Sequence, residues 1–95
     1  MTNIKRGKEA VGELYSDPLV IVLKLRYQLN KRELTQKDLS EMTGIRPNAI
    51  SMLARGYVER LNLDHIERIA AALDITDINE LIELVPQSQA DKYEV

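Results

Sequence analysis

The side chains with most to offer chemically in this chain are cations and amides, not nucleophiles or metal ligands. There is a single histidine, His65, and no cysteine. A His-based catalytic set, a thiolate metal site and a disulfide framework are therefore all excluded. No carboxylate pair, nucleophile with a base, or glycine-rich phosphate loop rises above chance, so an enzyme is the weakest reading and no cofactor or metal is expected. What remains is charge. Residues 1 to 61 hold eleven Lys or Arg against seven Asp or Glu, a net +4, whereas residues 62 to 95 hold two against eight, a net -6. The formal total of -2 thus hides a basic front half that can face a polyanion and an acidic back half.

Those cations need a scaffold, and the sequence offers a small one. A chain of 95 residues fits one domain with a modest stability margin and no separate sensory or catalytic domain. The longest apolar run, Leu19 to Leu23, is far short of the roughly 18 to 20 residues that span a bilayer. The N-terminus lacks the pattern of a secretory leader. The expectation is a soluble, unprocessed, cytoplasmic protein, bacterial or phage-encoded.

Residues 1 to 17 mix charge with Gly7 and Gly12 and are expected to form an arm or a weak extra helix, in which Lys5, Arg6 and Lys8 read as a solubilising tail or a minor-groove arm. Asp17 before Pro18 looks like a helix start. The next residues argue otherwise: Leu19-Val20-Ile21-Val22 is β-branched and continuous, and Leu23, Leu25, Tyr27 and Leu29 alternate with polar residues at period two. With no second convincing strand to pair with, the helix is preferred, from Pro18 to about Asn30. Thr35 caps a short helix over Gln36 to Met42, Gly44 supplies a turn, and Pro47 opens a further helix whose Ile50 and Leu53 face inward until Gly56 ends it. Asn62 caps a fourth helix carrying Leu63, Ile66, Ile69, Ala70 and Leu73. Asp77 with Glu80 reads as the opening of a fifth, with Ile78, Leu81, Ile82 and Val85 at helical spacing and Pro86 closing it. Residues 18 to 85 form the domain. Residues 86 to 95 are polar enough for a flexible tail. The fold class is all-α, with five helices and an N-terminal extension.

Two short helices joined by a glycine-containing turn project the second helix outward. The string from Leu34 to Gly56 resembles the Cro/repressor (XRE-type, lambda-repressor-like) helix-turn-helix family. The matching features are the Thr35-Gln36 opening, Leu39 with Ser40, the Gly44-Ile45 turn, Ile50-Ser51 within the second helix and the Arg55-Gly56 exit. Together with the later helices the resemblance covers about residues 18 to 85. It implies a sequence-specific double-stranded DNA-binding transcriptional regulator, a repressor of phage or mobile-element type, that binds a two-fold operator as a homodimer.

Carried over by position, the resemblance places Gln36, with Lys37 beside it, on a phosphate at a helix N-terminus. It offers Arg46, Pro47, Asn48, Ala49, Ser51 and Met52 to the major groove, and brings Arg55 and Tyr57 to the backbone. Arg46 suits guanine and Asn48 adenine, while Ala49 and Met52 can only meet a thymine methyl. Three departures stand out. Arg46 occupies a place where a small capping residue is common, Pro47 replaces a frequent polar contact, and Ala54 replaces an acidic residue that pairs with an arginine of the first helix. That leaves Arg26 free for solvent or phosphate.

A different class of function competes. The acidic half from Asp64 to Glu83 could dock a basic protein partner, as in an antitoxin or a phage-type antagonist, with DNA binding secondary. The apolar surface at Leu19, Val20 and Ile21 could be a dimer contact or be covered by residues 1 to 16.

Overall fold

In the computed structural model, residues 16–93 are described. Most of the expected N-terminal arm, Lys5, Arg6 and Lys8 included, lies outside them. Within them the order is β1 (Leu19–Leu23), α1 (Leu25–Lys31), α2 (Gln36–Thr43), α3 (Pro47–Arg55), α4 (Leu63–Leu73), a single 3-10 turn (Ile78–Glu80), β2 (Ile82–Pro86) and a second 3-10 turn (Gln87–Gln89). The domain is mostly helical but not all-α, and it has four α-helices among the described residues instead of five.

Both corrections have one cause. The β-branched run Leu19–Leu23 does find a partner, because β2 pairs with it antiparallel, with Leu19 opposite Pro86, Ile21 opposite Leu84 and Leu23 opposite Ile82. The local strand preference of β1 is therefore satisfied across the whole domain, and the helix expected from Pro18 shrinks to α1. The fifth helix fails at its first turn. Asp77 accepts from the amide of Asn79, two residues on, so it closes a tight turn and not a capping box with Glu80. Only eight residues run from Ile78 to Val85, the last before Pro86, too few for a stable helix without strong packing. Pro86 sits at the end of the ladder, where its missing N–H costs nothing, and the Gln87 amide then donates to the Pro18 carbonyl at 2.8 Å.

The helices surround one core in which Leu39, Ile50 and Ile69 are fully buried. Buried polar groups within it are matched. Gln28 donates to the Glu80 carbonyl at 2.7 Å, and Arg32 donates to Gln28 and, at 3.1 Å, to the Leu73 carbonyl at the end of α4.

The expected tail also does structural work as far as Tyr93. Ser88 bonds Asp17 through both its amide and its hydroxyl, and the Tyr93 hydroxyl donates to Glu83 at 2.8 Å. Lys24, buried at the root of β1, pairs with Glu83 at 3.0 Å and lies 4.4 Å from the centre of the Tyr93 ring. Burial opposes the charge on Lys24, but the hydrogen bond from its ammonium to Glu83, helped by the charge of that carboxylate, outweighs burial and raises its pKa. The bonds donated by Lys24 and Tyr93 hold the Glu83 carboxyl below its ordinary value. A depressed folded-state pKa stabilises the fold above the unfolded carboxylate's value, and the contribution is lost as pH falls through the lowered one. Glu83→Gln should consequently lower Tm near neutral pH and lower it progressively less as the pH is taken down toward about pH 2. An equal loss of Tm at both pH values would show that the carboxylate's charge is not what matters.

Candidate nucleic-acid interface

The geometry of the interface begins at the N-terminus of α2. Thr35 and Asp38 form a reciprocal capping box: the Asp38 amide donates to the Thr35 hydroxyl at 3.0 Å and the Thr35 amide to the Asp38 carboxylate at 2.8 Å. The backbone amide of Thr35 first, and its side chain second, hold the Asp38 carboxyl below its ordinary value. The box satisfies two of the amides at this end and leaves those of Gln36 and Lys37 directed outward, in the positive field of the helix terminus.

The turn that follows is fixed by short-range bonds. Gly44 has φ of 75°, a left-handed conformation that glycine adopts without a Cβ penalty, and its amide returns to the Ser40 carbonyl at 2.8 Å. The Thr43 hydroxyl donates to the Leu39 carbonyl and accepts from the Ile45 amide, and Ile45 is buried. From α4, Arg68 donates to the Thr43 carbonyl at 3.2 Å while pairing with Asp64 at 3.0 Å. The crossing of α2 and α3 is thus held from three sides.

In α3, Ile50, Leu53 and Ala54 face the core. At about 100° per residue, Asn48, Met52 and Arg55 lie opposite them, with Ala49 and Ser51 on the flanks. Exposure follows the same division: Arg46, Pro47, Asn48, Met52 and Arg55 are exposed and Ala49 and Ser51 half-buried. Arg46 stands at the N-cap without a side-chain capping bond, and Pro47 occupies the first turn in its place. Gly56 ends the helix at φ of 75°, and Tyr57 beyond it is 67% exposed. Neither Arg46, Asn48 nor Arg55 spends its side chain on a hydrogen bond or ion pair within the described residues. Gln36 is half-buried and Lys37 exposed at the other helix start. The fold brings the ten candidates to two helix starts, the outer face of α3 and its exit. Arg60, exposed in the loop after α3, was not singled out, although its place just before the Asn62 cap of α4 is visible in the sequence.

A capped helix, a glycine turn and a second helix whose polar face is unengaged define a helix-turn-helix DNA-binding domain. The chain belongs to the Cro/C1-type HTH DNA-binding domain family, whose model matches residues 24–87. No curated protein and no solved structure matched the chain significantly. The family match includes α1 to α4 and β2 and leaves β1 outside. No helix among the described residues is long and apolar enough to cross a membrane.

Proposed function

We propose that the chain is a transcriptional repressor that reads a two-fold operator in double-stranded DNA as a homodimer, from the cytoplasm of a bacterium or on behalf of a phage or mobile element. The observation that carries this reading is the outer face of α3, where Arg46, Asn48 and Arg55 are exposed and unpaired among the described residues. Arg46 and Asn48 read base edges, Ala49, Ser51 and Met52 line the groove floor, and Gln36, Lys37, Arg55 and Tyr57 fix the register on phosphates, with Arg60 alongside. Pro47 sets the entry angle of α3.

The homodimer draws support from the β-ribbon. Leu19, Ile21 and Leu84 are each more than 60% exposed, and the strand register sets Ile21 opposite Leu84 and Leu19 opposite Pro86. Their face carries no charge. An uncharged apolar ribbon invites an equally apolar partner, and a two-fold axis supplies one by presenting the same patch twice. Leu84→Lys, at an exposed position, should weaken self-association at least tenfold in sedimentation equilibrium while leaving the circular dichroism spectrum of the folded chain unchanged. Unchanged association would remove the ribbon from the interface.

The decisive experiment is a footprint and mobility-shift titration on the DNA upstream of the chain's own coding sequence. Two protected half-sites about one helical turn apart and affinity that falls steeply with salt are expected. Salt-insensitive binding, or none at low salt, would overturn the proposal. The charge split favours one alternative, a protein-interaction module docking through the acidic residues of α4 and beyond. A stoichiometric protein partner retained after Gln36→Ala and Arg46→Ala would favour it.

A further inference from the structure

Where β1, the start of α1, the exit of α3 and the C-terminal segment meet, there is an open cleft of about 230 Å³. Its chemistry is two-sided. Arg26 and Arg55 both line it, each exposed and without an ion pair or hydrogen bond among the described residues. No carboxylate of the described residues lines it with them. The rest of the wall is uncharged and mainly apolar, with Ile21, Val22, Leu23, Ala54 and Tyr93 among its residues. Tyr93 is held in place by its bond to Glu83 and by an edge-to-face contact with Tyr27 at 5.3 Å, so this wall is anchored.

Two like charges on one cleft repel, and each guanidinium presents a planar fork that matches a carboxylate or phosphate. A bare anion would use the arginines and leave the apolar wall wet. The volume exceeds the roughly 150 Å³ that accommodates benzene in an engineered cavity. We propose that this cleft binds a small organic anion, a carboxylate or phosphate group on a ring-sized apolar body, and that its occupancy weakens DNA binding because Arg55 serves both. The chain then needs no separate sensory domain to respond to a metabolite. The site stands apart from the outer face of α3 except at Arg55, so DNA binding and anion binding can fail separately.

The test uses the full chain and phenyl phosphate as probe, followed by amide chemical shifts at constant ionic strength. Saturable shifts are expected at Ile21, Val22, Arg26, Ala54, Arg55 and Tyr93. Inorganic phosphate and uncharged benzyl alcohol should each bind at least tenfold more weakly. Arg26→Gln, at an exposed position, should weaken phenyl phosphate at least tenfold with Tm and duplex affinity unchanged. Saturating phenyl phosphate should weaken duplex binding at least threefold relative to benzyl alcohol. Non-saturable shifts, or shifts that persist in Arg26→Gln, would overturn the proposal. So would the remaining result, in which phenyl phosphate does not bind and Arg26→Gln lowers duplex affinity with a salt slope reduced by about one, since Arg26 would then be a backbone contact.

Discussion

Ile50→Ala is expected to destabilise the domain by about 3 kcal/mol and to lower Tm by roughly 12 to 24 °C. Ile50 is fully inaccessible and belongs to the same buried cluster as Leu39 and Ile69. Truncation removes its transfer free energy and leaves a cavity that neighbours on three helices cannot all close, because α2, α3 and α4 are tied by the Gly44 turn and by Arg68. A domain this small holds about 5 to 10 kcal/mol in total, so the loss takes roughly a third to three fifths of it. Met52→Ala, two residues along the same helix but 37% exposed, should change stability by about 0.5 kcal/mol or less. Circular dichroism melts of the two variants separate the inner and outer faces of α3 directly. Comparable melting temperatures would mean that α3 is packed otherwise.

The contrast between those two residues was legible in the sequence because everything that fixes it is local. Thr35, Gly44, Pro47, Gly56 and Asn62 each act on backbone groups within a turn of themselves, so their capping and turn chemistry survives whatever the rest of the chain does. The ribbon is different. Leu19–Leu23 carried a strand pattern, but its partner begins 59 residues after the end of β1, and that partner disguises itself. Leu81, Ile82 and Val85 are buried or half-buried in the fold, and the same spacing fits the inner stripe of a helix. Only the pairing decides, and pairing is a property of two segments together. The role of Tyr93 was hidden for the same reason, since a lone aromatic in a polar tail gives no sign that Lys24 and Glu83 wait for it.

The same division between local and non-local causes shapes the DNA-binding prediction with the largest effect. Combined alanine substitution of Arg46 and Asn48 should erase most of the preference for operator over random duplex, about 2 to 6 kcal/mol if each bidentate base contact contributes its usual share. Both side chains are exposed at the start of α3, and neither bonds within the described residues, so Tm should hold within about 2 °C. Non-specific affinity should fall little, because Asn48 is uncharged and the proposed backbone contacts of Gln36, Lys37, Arg55 and Arg60 are untouched. Lys37→Gln should show the opposite pattern, a uniform loss across all sequences with the salt slope reduced by about one and the preference intact. Selection from a randomised duplex pool, repeated at two salt concentrations, reads both quantities at once. If the double variant still recovered the wild-type consensus, α3 would be reading shape through the backbone contacts and not bases through Arg46 and Asn48.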